Sequence, residues 1–147
     1  DFISQTTGQV AFQRPQQLRW HTHTPSEQIL LLKDVDLWLI DNELEQAVLQ
    51  KNKNLANTAL HWLIREPNGK SGAKYSHSAS GIDWYVANKN ASQPISFGFT
   101  GGNLSAISLQ NELEQTIYIN FTNSKINSKI APKTFELNLG ADFNIIR

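Results

Sequence analysis

The 147-residue chain has no cysteine, no methionine, no excess of either charge and no long apolar run. Each absence removes a class of protein. Without cysteine there are no disulfides, no zinc–thiolate sites and no thiol nucleophile. That leaves the compartment open, since exported proteins also fold without disulfides. Thirteen basic residues balance thirteen acidic ones. A nucleic-acid binder carries a basic surplus or face, and a membrane-surface protein a Lys/Arg cluster, so neither partner is expected. The longest aliphatic run, Ile29-Leu30-Leu31-Leu32, is cut at once by Lys33-Asp34. A membrane-spanning helix needs roughly 20 apolar residues. The start at Asp1 and the lack of Met lead to the expectation that an initiator, and with it a signal peptide, has been removed, which favours export only weakly. The length is that of one domain, so residues 1–147 read as a single one, large enough to build a core or a lined cavity.

What is present is mostly alternation. Val10 and Phe12 alternate with polar neighbours until Arg14-Pro15; Leu18 and Trp20 resume the pattern until Thr24-Pro25. Further strands are predicted over Gln28 to Leu32, Leu37 to Ile40 and Leu44 to Leu49, with turns at Lys33-Asp34-Val35-Asp36 and Asp41-Asn42. The second half gives Ile82 to Val86, Ile95 to Phe99, Leu104 to Leu109 and Thr116 to Phe121, then Phe135-Leu137-Leu139 and Phe143 to Ile146. Nine to eleven short strands at this spacing predict an antiparallel sandwich or barrel. One segment has the helical period instead. Leu55, Ala59, Trp62 and Leu63 lie at i, i+4, i+7 and i+8, widened by Leu60 and Ile64 and stopped by Pro67-Asn68-Gly69. A helix laid across a curved sheet either plugs its core or roofs a ligand cavity, and the pattern alone leaves both open.

Catalytic and metal-binding arrangements are not evident. His21 and His23 are two apart, hence on one face of a strand, a spacing that can chelate a metal. No third ligand is apparent nearby in sequence, though His61 or His77 could approach in space, and histidines exposed on a strand are far commoner than ligands. No metal is expected. Glu43 and Glu45 share a face of the predicted strand and imitate an acid–base pair, but a solvated outer face explains them better. There is no Ser-His-Asp elbow and no phosphate loop, so the chain reads as a non-enzyme without cofactor.

One stretch carries more. Gly8-Gln9-Val10-Ala11-Phe12-Gln13-Arg14-Pro15-Gln16-Gln17-Leu18-Arg19-Trp20 resembles the LolA family, with its glycine, strand, Arg-Pro, short spacer, apolar residue and Trp. The likeness continues in order. Leu37-Trp38-Leu39-Ile40-Asp41 looks like the family's Leu-Trp-x-Tyr-Asp, and Leu44-Glu45-Gln46 like its Leu-Glu-Gln. Asn57-Thr58-Ala59-Leu60-His61-Trp62-Leu63 stands where the family has a helix, and Asp83-Trp84 matches a recurring pair. Gln115-Thr116-Ile117 and Phe121-Thr122-Asn123, then Asn127, Ile130 and Phe135, resemble the closing strands. No single piece is specific; the ordered set is.

The resemblance implies a mainly β fold with some α, an open antiparallel barrel of about eleven strands under a helical lid, enclosing a hydrophobic cavity. It implies a periplasmic carrier that binds the acyl chains of lipoproteins. Cargo would come from an ATP-driven inner-membrane release complex and pass to an outer-membrane acceptor lipoprotein of the same fold, the carrier being a monomer. The alternative is a similar module that binds another lipid or senses lipoproteins. By the same resemblance Arg14 is the lid-gating arginine. Leu18, Trp20, Leu30 and Trp38 are expected to line the cavity, with Leu60, Trp62 and Leu63 as the facing lid surface. Two departures stand out. The family's N-terminal helix is expected to be absent or cut down ahead of Gly8, and Leu139-Gly140-Ala141-Asp142-Phe143 lacks the family's Pro-x-Gly.

Overall fold

Apolar side chains at every second position commit most of this chain to strands, because only a pleated ladder puts them all on one side. The computed structural model describes residues 4–14, 16–50, 73–87, 95–110 and 114–147. Eleven strands occur there: β1 (Thr7–Gln13), β2 (Gln17–Thr24), β3 (Gln28–Lys33), β4 (Asp36–Asp41), β5 (Gln46–Gln50), β6 (Lys74–Ala79), β7 (Ile82–Ala87), β8 (Ile95–Thr100), β9 (Asn103–Gln110), β10 (Thr116–Asn120) and β11 (Asn144–Ile146). The chain falls into two compact units, residues 1–66 with 129–147, and residues 67–128.

The first unit holds a six-stranded sheet in the order β1-β2-β3-β4-β5-β11. Its first five strands form an antiparallel meander, and β11 then joins β5 in parallel, pairing Asn144 with Gln46. The ladder is therefore not antiparallel throughout. The Asn144 N–H also donates to the Glu45 carbonyl at 2.8 Å, which anchors the returning chain. Asp34-Val35 is a two-residue turn that pairs Leu32 with Leu37. Asp34 takes a φ of 58°, which Asp tolerates better than most residues. Its N–H donates to the Gln16 carbonyl at 2.9 Å and ties two neighbouring turns together.

The second unit is a five-stranded antiparallel sheet, β10-β9-β8-β7-β6. Gly101 and Gly102 both have positive φ, the requirement of a tight hairpin whose twist matches its strands. Ser80-Gly81 makes the same kind of turn between β6 and β7. That turn explains a strand that alternation does not predict. Lys74–Ala79 is mostly polar and exposed along its whole length, and it forms because β7 pairs with it.

Three expectations need correction. Phe135, Leu137 and Leu139 are not a strand. Pro132 starts a 3-10 helix, Pro132–Phe135, and its fixed φ suits that position; Phe135 is buried and this turn lies against β2 and β3. Leu44 does not open β5, and Glu43 and Glu45 share no strand face. The Asp41 carboxylate accepts the backbone N–H groups of Glu43 and Leu44 at 3.0 and 3.1 Å, so residues 42–45 curl into a turn. The expected helix around residues 55–64 lies outside the described residues, among which helix is confined to that 3-10 turn. Two sheets, and no closed barrel, are what the described residues form. None of their helices is long and apolar enough to cross a membrane.

The first sheet is packed on both faces, which is why β3 reads as a continuous aliphatic run and not as an alternation. Leu31 is 1% exposed in the cluster with Ile29, Trp38, Ile40 and Ala47, whereas Leu39 is 41% exposed on the opposite face. Truncating a sealed leucine leaves a cavity; truncating a half-wet one does not. Leu31→Ala is expected to lower stability by about 2–5 kcal/mol, and Leu39→Ala by about 1 kcal/mol or less. Urea unfolding of the two variants checks the contrast.

Candidate functional site

Cross-strand register sorts the first sheet into rows. One face carries the row Phe12, Leu18, Leu32 and Leu37, of which the three leucines are buried. Next to it runs Val10, Trp20, Leu30, Leu39 and Val48, an unbroken apolar row across five strands in which every member keeps some exposure. Beyond it the row turns polar: Thr22, Gln28, Asp41 and Gln46. A half-exposed apolar belt, sealed on one side and bounded by hydrogen-bonding side chains on the other, is an unusual thing to leave against water. It is the candidate ligand-contact surface.

The structure brings Leu18, Trp20 and Leu30 together on this face. It does not bring Trp38 there. The two-residue Asp34-Val35 turn pairs Trp38 with Leu31, so its indole projects to the other side. There it packs in the cluster with Ile29, Leu31, Ile40 and Ala47, against which Leu139 and Phe143 lie. The Arg147 guanidinium stands 5.8 Å from its ring centroid. Trp38 thus lies on the face opposite Trp20, packed under the returning C-terminal segment. Leu60, Trp62 and Leu63 lie outside the described residues.

Arg14 sits in the exposed turn between β1 and β2, its guanidinium 5.8 Å from the Phe12 ring centroid. The ladder places that turn at the end of the sheet where Gln50 pairs with Leu37 and β5 stops. A shallow groove of about 290 Å³ lies elsewhere in this unit, lined by Asn42, Glu45, Gly140, Ala141, Asp142 and Phe143. Its two carboxylates do not suit an apolar ligand.

On the covered face, His21 and His23 share one side of β2 as their spacing predicts, with ring centroids 4.2 Å apart and tilted by 45°. The His21 Nε2 is 3.6 Å from Glu27 Oε1, and Asn42 Nδ2 donates to that same carboxylate. Burial, then the charges of His23 and Arg19, push the His21 pKa below its ordinary value, with Glu27 pulling the other way.

The second unit has its own apolar face, and its sequence signal is plain, since Ile95, Phe97 and Phe99 alternate along one strand. Ile107, Leu109, Ile117 and Ile119 extend that side by register. Tyr85 meets Phe99 edge-on at 5.6 Å and Tyr75 at the same distance. On the reverse side the Trp84 indole covers Gly98 and comes within 6.2 Å of the Tyr118 ring centroid. A Cβ at Gly98 would stand 2.7 Å from Ile82 Cγ2 and 3.1 Å from two indole carbons. Strand propensity alone favours valine over glycine by up to ~1 kcal/mol. Overpacking costs about 1–3 kcal/mol, and the branched Ile82 methyl cannot swing aside. Gly98→Val is therefore expected to destabilise by about 1–2 kcal/mol and to shift Trp84 fluorescence, both read in one denaturation series.

The family profile described as "Outer membrane lipoprotein carrier protein LolA" matches residues 1–138. Among relatives, proteins named outer-membrane lipoprotein carrier protein align over nearly the whole chain. The one from Pseudomonas paraeruginosa is 25% identical, covering 99% of this chain and 73% of its own length. Its counterpart from Dechloromonas aromatica is 26% identical over 97% and 72%, and that from Pseudomonas syringae pv. tomato 28% identical over 95% and 72%. The matched residues include every strand from β1 to β10, and the chain belongs to the LolA family.

Proposed function

We propose that this protein is a periplasmic lipoprotein carrier that shelters acyl chains against the belt Val10, Trp20, Leu30, Leu39 and Val48. The belt is the observation that carries the reading. At a strand spacing of ~4.8 Å it extends ~19 Å across the sheet, of the order of one extended acyl chain. Each CH₂ taken out of water contributes about 0.8 kcal/mol, so a chain lying along this row binds without any polar contact. Leu18, in the buried neighbouring row, backs the wall. The names of the relatives support a carrier role, and the passage from an inner-membrane release complex to an outer-membrane acceptor, as a monomer and without catalysis, belongs to the same proposal. So do the single-domain organisation and the open barrel with a lid over residues 55–64 that presents Leu60, Trp62 and Leu63.

Release is the harder half of the task, since burial that captures cargo also retains it. Arg14 is the proposed gate. A guanidinium offers five donors and does not deprotonate, so it suits backbone carbonyls of a segment that closes over the sheet. Its turn lies at the end where β5 leads the chain away at Gln50. Cargo entry that breaks such bonds biases a two-state lid by the difference in binding between the states.

The test offers membranes with labelled lipoprotein to the parent protein, Leu30→Asp and Arg14→Leu, followed by an acceptor. A carboxylate on the belt is expected to weaken capture at least ~10-fold, or ~1.4 kcal/mol, with the circular dichroism spectrum unchanged. Arg14→Leu is expected to capture cargo and pass it on at least ~10-fold more slowly. Capture by Leu30→Asp equal to the parent sinks the belt, and normal hand-over by Arg14→Leu sinks the gate. Copurification of a free lipid, with no lipoprotein uptake by the parent, favours the alternative lipid-binding module.

A further inference from the structure

We propose that His21, His23 and Glu27 form a binding site for a first-row divalent cation of the zinc–copper type, on the face of the first sheet away from the belt. Nothing in lipoprotein carriage uses these groups. The two imidazoles stand one above the other on β2, centroids 4.2 Å apart. His21 Nε2 has no accessible surface and makes no hydrogen bond. Its neighbour Glu27 Oε1, at 3.6 Å, is too far for one. That gap fits a different arrangement. Two ligand atoms ~2.0–2.1 Å from one tetrahedral ion stand about 3.4 Å from each other, so an ion bridges this pair with little movement.

The surrounding groups suit that use. Glu27 is held by Asn42 Nδ2, the kind of outer contact that fixes a ligating carboxylate. Among the described residues no three His, Cys, Asp or Glu side chains already converge on one point. The third arm is His23, which is exposed and turns about its side-chain bonds to reach the ion. Two imidazoles and a carboxylate are a donor set for Zn²⁺ or Cu²⁺, with copper the tighter. Once bound, the ion ties β2 to the connection after it and, through Asn42, to the turn after β4.

The proposal is tested by titrating ZnCl₂ and CuCl₂ into chelator-stripped protein, followed by calorimetry and by the imidazole proton resonances. One equivalent is expected to bind, copper more tightly than zinc, with the His21 and His23 resonances moving together. His23→Gln and Glu27→Gln are each expected to weaken zinc binding at least ~10-fold, and Asn42→Ala less. His21 is packed, so the decisive variants are those of His23 and Glu27, whose side chains reach solvent. No binding heat, or zinc binding in both variants as strong as in the parent, overturns the site. Lipoprotein capture by the same variants is read separately, so failure here leaves the carrier function intact.

Discussion

The two-residue turn at Asp34-Val35 is the constraint on which the first sheet depends. A pleated strand alternates its side chains, so one residue more or less in that turn would exchange the two faces of everything after it. As it stands, Leu30 meets Leu39 and Leu31 meets Trp38. The first pair joins the half-exposed belt and the second the sealed cluster. The Asp34 N–H to Gln16 carbonyl bond reinforces the choice, because it locks the turn to the one beside it. A slip of register would have to break that bond as well as the ladder.

Given this register, the two faces do different work with similar residues. The cluster face is finished by the chain's own end. After the 3-10 helix at Pro132–Phe135, residues Leu139 and Phe143 lie on it, and β11 adds a parallel strand at its edge. Covered in this way, it leaves little room for a ligand as large as an acyl chain. The belt face has a sealed row and a polar row with apolar side chains between them. Its composition is as aliphatic as the other, so hydrophobicity does not distinguish wall from core. Coverage does, and coverage is a property of where residues 129–147 return.

That is also why the sequence is legible in some places and not in others. Strands β1, β2 and β7 to β10 follow from alternation or a turn signal beside it, and β3 and β4 from short apolar runs between turn residues. Strand β6 is invisible to that test; Lys74–Ala79 has nothing to bury and owes its form to a partner. Segment 132–139 fails the other way: of its alternating apolar residues Phe135 is buried and Leu139 packs on the first sheet, while Leu137 is exposed, and none is in a strand. Glu43 and Glu45 look like strand residues because nothing local announces that the Asp41 carboxylate will claim the next amides. The family is legible from ordered motifs, whereas the role of Trp38 is not. A motif says that a tryptophan stands at that place; only the count of turn residues says which way it points.

In the proposed carrier the belt and the gate answer opposite needs, and their chemistry differs accordingly. Burial of apolar surface has no direction and little selectivity, so a binding row of valine, leucine and tryptophan would accept any acyl chain and distinguish one cargo poorly from another. Discrimination and timing have to come from groups with geometry. As the proposed gate, Arg14 would supply fixed donors at the end of the first sheet where its turn lies. A carrier built from the belt alone would bind and hold; one built from the gate alone would have nothing to hold. Placing the charged group in an exposed turn and the apolar row on the pleated face keeps the two separately adjustable. On this proposal, substitution in the turn would alter release without unpacking the wall, because Arg14 itself is exposed.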